Sequence, residues 1–318
     1  NRDNKVVKTS KKKSRFDLNF ENFDIINGKL SILKSNGKKT LSIAKFDANI
    51  KSFLMNEETS KNKLPFSYQD YKISGNQFFY DAGQYYTMDL SSFDVTSKSI
   101  DLKDFNLNPK VSRTEFVRMI PMENDLFDIS VNRVQLSGLR WKFENDQPDI
   151  LLKNARLTNV DANIFRSKIP RDNPKEKLLY SKLLRTIKFP LVVENLDLVQ
   201  SKLVYEEDKP DSNGPGKVIF TNFNMNVKNL NSNKKKGANT NVPIVINCEF
   251  MDASPMKVNW NFDTANMRDN FTIGGYINNL PANDINPFIK PYMNITATGT
   301  ITSLNFDFKG NNDIMNGK

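Results

Sequence analysis

The chain has 318 residues, 38% of them hydrophobic and 26% charged, with 23 Phe, 9 Tyr and 2 Trp: enough to bury a core, yet with no apolar run near the roughly eighteen residues of a membrane-spanning helix. It has no histidine, which removes Ser/His/Asp and Cys/His catalysis, imidazole acid–base chemistry and histidine-bearing zinc sites. The formal charge of +10 invites a nucleic-acid or anionic-membrane reading, but the lysine triplets Lys11–Lys13 and Lys234–Lys236 sit in polar, Ser/Asn-rich stretches between apolar segments, as solvated loops do, and no nucleic acid is expected as a partner.

In chain order, residues 1–14 read as a basic flexible arm. Lys5, Lys8, Lys11, Lys12, Lys13 and Arg15 are placed to touch anionic headgroups, each contributing about 1 kcal/mol near such a surface. The chain starts at Asn1 without Met, which is compatible with a removed leader or anchor. From Phe16 onward a rhythm begins. Counting from an aromatic residue, apolar side chains follow at the same six offsets in four places. Phe16 is followed by Leu18, Phe20, Phe23, Ile25, Leu30 and Ile32, and Tyr86 by Met88, Leu90, Phe93, Val95, Ile100 and Leu102. Phe127 is followed by Ile129, Val131, Val134, Leu136, Trp141 and Phe143, and Phe189 by Leu191, Val193, Leu196, Leu198, Leu203 and Tyr205. Internal self-similarity of this kind signals a stacked repeat.

Steps of two are strand periodicity, because successive side chains point to opposite faces of a pleated sheet. The step of three in the middle keeps the apolar set on one face only if a bulge or bend absorbs the extra residue. Each unit therefore reads as a long kinked strand, a turn and its return, with Asn27-Gly28, Asn36-Gly37 and Asn213-Gly214 as the turn signals. Further alternating runs follow at 41–50, 100–107, 150–157 and 218–227, so the chain reads as an antiparallel meander, apolar on one side and wet on the other. Helix signals are few. Ser112 with Glu115 predicts a short helix through Met119, stopped by Pro121. Asn173-Pro174-Lys175-Glu176 predicts an amphipathic helix over 174–187, with Leu179, Leu183 and Ile187 in one stripe. Residues 281–294, with three prolines, fit a capped helical turn before a last alternating strand at 295–310.

Chemistry is sparse. Cys248 falls at an apolar position of a strand and reads as a buried small hydrophobe. Glu206-Glu207-Asp208 and the following KPDSNGPG read as a solvated hairpin tip, since Lys209 spoils an EF-hand loop. No phosphate-cradling Gly-rich loop is present. No catalytic residue, metal ligand or cofactor is expected, and the reading is of a non-enzyme.

Residues 189–310 resemble the AsmA-like family of Gram-negative envelope proteins. The likeness lies in FPLVVENLDLVQSKLVYEED, VIFTNFNMNVKNLN, MKVNWNFD and LPANDINPFIKPYMNITATGTITSLNFDFKGN. It implies a long twisted β-sheet folded into an open half-pipe with an apolar floor, projecting into the periplasm and anchored to the envelope membrane through a segment outside this chain. It also implies a part in moving phospholipid or other acyl lipid, or in outer-membrane biogenesis, with envelope proteins as further partners. The expected fold is thus mainly β: a long antiparallel twisted sheet forming an open groove built of repeats, with a few short helices. Its expected parts are a first β-groove segment at 15–170, a helical insertion at 171–188 and a second β-groove segment at 189–318. The expected lipid-lining residues are those of the four repeats: Leu18, Phe20, Phe23, Ile25, Leu30, Ile32, Met88, Leu90, Phe93, Val95, Ile129, Val131, Val134, Leu136, Trp141, Phe143, Leu191, Val193, Leu196, Leu198, Leu203 and Tyr205. Two other readings stay open: a scaffold for envelope proteins with a sealed β core, and, least supported, an enzyme acting on glycans.

Overall fold

The computed structural model describes residues 17–144 and 146–318. The basic arm and Phe16 lie outside the described residues. Among the described residues fifteen strands form one open sheet that does not close on itself. They are β1 (Leu18–Leu33), β2 (Lys39–Met55), β3 (Asp70–Asp81), β4 (Tyr86–Thr96), β5 (Ser99–Pro109), β6 (Asp125–Ser137), β7 (Arg140–Glu144) and β8 (Gln147–Ser167). The second half adds β9 (Leu191–Asp208), β10 (Gly216–Asn231), β11 (Asn241–Phe250), β12 (Ser254–Asp263), β13 (Phe271–Pro281), β14 (Thr300–Gly310) and β15 (Met315–Gly317). Three short helices, α1 (Arg113–Met119), α2 (Tyr180–Arg185) and α3 (Asn286–Met293), complete the fold.

Neighbours in sequence are neighbours in the sheet, except that β6 pairs with β8 while β7 folds back on the start of β8. The pure antiparallel meander expected from the sequence needs one correction. β8 and β9 run parallel, with Ile150 opposite Leu191 and Ser167 opposite Asp208. A parallel pair needs a crossover, and residues 168–190 supply it.

That crossover explains a second correction, because the helix expected over 174–187 is only Tyr180–Arg185. The connection must travel back along the whole of β8, from Ser167 to the level of Ile150, about 55 Å at the strand rise. A fourteen-residue helix would advance only about 21 Å. Every other residue would then have to be fully stretched, so most of the segment stays extended, and Asn173 caps only a bend, accepting from the Lys175 amide at 3.1 Å. Helix α1 forms as expected, with Ser112 and Glu115 in a reciprocal capping box. Residues 282–293 form a 3-10 turn running into α3, ended by Asn294 in the left-handed region.

The repeated unit is also built differently from expectation. Two of the four copies, at Tyr86 and Phe127, are strand–turn–strand, whereas those at Phe16 and Phe189 lie along the single strands β1 and β9. Asn36-Gly37 and Asn213-Gly214 are turns, but Asn27-Gly28 lies inside β1. Asn27 there adopts φ 56° and its amide donates to Asp47 Oδ1 at 2.7 Å, which makes a bulge.

Bulges of this kind line up. Gln77, Asp104, Asn159, Gln200 and Asn222 all have φ between 46° and 52° inside strands, and the pairing register places them in one crease crossing β3 to β10. Polar side chains satisfy backbone groups that the bulges release. Ser91 Oγ donates to the Lys103 carbonyl at 3.1 Å, the Val160 amide donates to Ser201 Oγ at 3.2 Å, and the Gln200 amide donates to Asn224 Oδ1 at 3.0 Å. A second crease passes through Gly138 and Asn229, both at positive φ. The i,i+3 pairs Leu136/Leu139, Leu152/Ala155 and Val193/Leu196 straddle it and all pack in one cluster. The broken rhythm in the sequence is thus the signature of creases that bend the sheet while keeping one face apolar.

Candidate functional site

The register turns the repeats into ladders across the sheet. One runs Ile25–Ala48–Ile73–Val95–Ile100–Leu136–Ala155–Leu196–Val227–Ile244–Trp260–Ile273–Phe308–Gly317, each residue directly opposite the next. Every member is apolar, through fourteen strands. At about 4.8 Å per strand it extends about 60 Å along the sheet. A second runs Phe93–Leu102–Val134–Leu157–Leu198–Met225–Ile246–Val258. Beyond the main crease a third runs Ile32–Leu41–Tyr80–Met88–Leu107–Ile129–Ala162–Leu203–Phe220–Phe250. Between the first two, Asp47–Ser74–Asp94–Asp101–Gln135–Arg156–Asp197–Asn226 points the other way. The floor face is greasy and the other mostly wet, except where α1 packs Phe116 onto Leu126 and Phe165.

Phenylalanines cover glycines on this floor. Gly28 pairs with Phe46, Gly75 with Phe93 and Gly275 with Phe306. A Cβ on Gly75 would lie 2.6 Å from the Phe93 ring, and one on Gly275 2.3 Å from the Lys257 carbonyl. Each ring occupies the space that a side chain on the opposite glycine would take.

The floor is uncovered in part: of the expected lining residues Leu90, Val131 and Val193 are buried, as are Ala48, Ala155, Val227 and Ile244 of the longest ladder, while the first strands stay open. Phe20 and Phe23 are each 40% exposed, as is Leu30, with Ile32 at 49% and Tyr80 at 39%. Over the second half α2 acts as a partial lid. Its Tyr180 meets Trp260 edge-on at 5.0 Å, and Leu184 packs with Val227, Val242 and Phe262. The lid is pinned by buried Asp269, which accepts from Ser181 Oγ and from Arg185 Nη2, both at 2.6 Å, and from Asn312 Nδ2 at 2.8 Å.

The two ends of the floor differ chemically. At the β8 C-terminal end Arg166 is bound by Glu123 at 3.0 Å and Asp125 at 2.9 Å. Glu207 accepts from Lys168 at 2.8 Å and from the hydroxyls of Tyr205 and Tyr292, each at 2.6 Å. Burial raises the Tyr205 hydroxyl pKa, and its bond to Glu207 adds to the shift; Lys168 is pushed up to about 12 by Glu207 and Tyr292. This corrects the expected solvated tip. Glu206 and Glu207 belong to β9, and Glu206 is buried against Arg113 and Asn163; only 209–215 form the turn. Cys248 is buried as expected, and burial pushes its thiol up to about 11.

At the opposite end, the loop between β2 and β3 reaches across to β7. Phe20, Phe53, Phe66, Tyr68, Trp141 and Phe143 form a chain of ring contacts with centroids 5.3–6.4 Å apart. Between loop and strand lies a cleft of about 510 Å³, lined by Lys61, Asn62, Lys63, Leu64, Phe66, Tyr68, Trp141, Lys142, Phe143 and Asp146.

The expected lining residues are brought together on the floor face. Leu30, Ile32, Met88, Leu90, Ile129, Val131, Leu203 and Tyr205 lie on one side of the main crease. Phe23, Ile25, Phe93, Val95, Val134, Leu136, Leu196 and Leu198 lie on the other. Leu191 and Val193 follow beyond the second crease. Leu18 and Phe20 stand opposite Met55 and Phe53 at the end of β1, and Trp141 and Phe143 form the aromatic wall of the cleft. Sequence reasoning missed Phe66, Tyr68, Lys61 and Lys63. The signal for Phe66 and Tyr68 was aromatic density in FSYQDY, which has no period to read, and the two lysines carry no pattern at all.

Among the described residues no helix is long and apolar enough to cross a membrane. No family model and no curated protein matches the chain.

Proposed function

We propose that this chain is a lipid-binding β-groove of AsmA-like type, in which acyl chains lie along the apolar floor and headgroups stay in solvent. The observation that carries the reading is the fourteen-strand ladder with no polar member, on a sheet that does not close over it. Apolar area left in water costs about 25 cal/mol per Å², and the lid formed by α2 covers only part of the second half. Each methylene laid on the floor contributes about 0.8 kcal/mol. A dozen give about 10 kcal/mol before association costs, which are of similar size, so binding is favourable when several chain segments are held together. The quoted motifs support a periplasmic setting, with anchoring through a segment outside this chain and a role in envelope lipid homeostasis.

The test uses the two tryptophans. Mass spectrometry of gently purified protein should find co-purified lipid. In a Trp260→Phe background, where Trp141 is the remaining tryptophan, lipids brominated on the acyl chain should quench its fluorescence. Absence of both lipid and quenching overturns the reading.

A further inference from the structure

We propose that the cleft between β7 and the β2–β3 loop seats the anionic headgroup of a lipid whose chains lie on the floor; the inference rests on the lipid-binding reading. Three features of the cleft point there. Its volume, about 510 Å³, falls in the range of about 300–1,000 Å³ typical of ligand sites. Its wall is aromatic, with Phe66, Tyr68, Trp141 and Phe143, and Tyr and Trp favour the boundary where one side is apolar and the other wet. Its remaining lining carries three lysines against a single carboxylate, Asp146. Lys142 pairs with Glu144 at 2.9 Å, whereas among the described residues Lys61 and Lys63 have no carboxylate within 4 Å.

The cleft opens onto the floor without a break. Trp141 stands opposite Ile150, which stands opposite Leu191, and Leu191 packs with Leu152, Val193, Ala155 and Leu196, the last two being members of the longest ladder. The other end of the floor offers no such seat, because Arg166 and Lys168 there are already held by Glu123, Asp125 and Glu207. The charge difference between the ends gives the floor a direction: an amphiphile lies with its anion at β7 and its chains running toward the main crease. Cations on the outer side of β7, among them Lys234 and Lys236, face away from the floor and are not part of the seat.

The experiment compares phosphatidylglycerol with diacylglycerol carrying the same chains, by competition against a fluorescent acyl probe on the full chain. The wild type should prefer phosphatidylglycerol by about ten-fold or more. In Lys61→Gln/Lys63→Gln that ratio should fall toward one, while Lys234→Gln/Lys236→Gln should keep it. The proposal is overturned if the wild type binds the two lipids equally, if the preference survives in Lys61→Gln/Lys63→Gln, or if it is lost in Lys234→Gln/Lys236→Gln instead. It is also overturned if glycerophosphoglycerol alone competes as well as the whole lipid, which would make the cleft a free-anion site. Binding of neither lipid is a different result, since it removes the lipid reading itself.

Discussion

Asp269 shows how one residue holds the lid on the floor. Burial alone would push its carboxyl up, but donors from Ser181, Arg185 and Asn312 outweigh that and hold it below the ordinary aspartate range. Removing one partner of a buried ion pair leaves the other uncompensated, so Asp269→Ala should destabilise the fold by about 3 kcal/mol in urea unfolding at pH 7. A carboxylate with a lowered folded pKa stabilises fully above its unfolded value, near 4, and loses that contribution as pH falls through the folded value. The gap between wild type and Asp269→Asn should therefore be constant from pH 7 to about 5 and narrow below about 4. Glu206 is likewise buried and Glu207 half-buried, and their bonds, to Arg113 and Asn163 and to Lys168, Tyr205 and Tyr292, outweigh desolvation and lower their pKa. The whole chain should accordingly lose stability in the same acid window.

At the scale of the strand, the crease residues carry the argument. Gln200 sits at φ 51° in the middle of β9, a conformation that costs a side-chain-bearing residue about 1–2 kcal/mol relative to glycine's freedom. Gln200→Gly should leave stability unchanged or slightly raised, and Gln200→Ile should lower it by about 1–2 kcal/mol, both read from urea midpoints. Equal effects of the two substitutions would mean the crease does not depend on the left-handed residue. These creases are also where the sequence was most readable. The step of three at Val193/Leu196 announces the second crease in β9 and the same step at Val131/Val134 the main crease in β6, because period two forces any one-faced strand to compensate for an extra residue. The longer gap from Leu198 to Leu203, which reads as a turn, is instead the main crease at Gln200 inside one strand. What could not be read was which copies turn back. Asn27-Gly28 has the same chemistry as Asn36-Gly37, yet one is a bulge and the other a turn, and only pairing with β2 decides between them. The parallel step from β8 to β9 was hidden for a similar reason: a helical stripe at 174–187 satisfies local propensity, whereas the distance to be spanned is set by the length of β8. The β7 cleft was invisible because it joins a loop to a strand several places away in the sheet.

Across the whole molecule the deciding term is energetic, because a sheet that is greasy on one face and leaves that face partly exposed along its first strands must gain something from staying open. A sandwich would bury the same ladder against a second sheet and leave its members inaccessible. Here Tyr80, a member of the third ladder, and Leu30, opposite Ile43 on the same side of the main crease, keep 39% and 40% of their surface in contact with solvent. That difference makes the two arrangements separable by substitution. On an open floor, Leu30→Asp/Tyr80→Asp places carboxylates where water already reaches, and stability should change by no more than about 1 kcal/mol. The same carboxylates interrupt the lane on which acyl chains lie, so lipid retained through gentle purification should fall at least ten-fold. Were the face sealed, two buried unpaired charges would each cost several kcal/mol and the protein would not fold. A folded variant stripped of lipid supports the groove, an unfolded one refutes it, and a folded variant that still carries its full load of lipid places the chains elsewhere on the sheet.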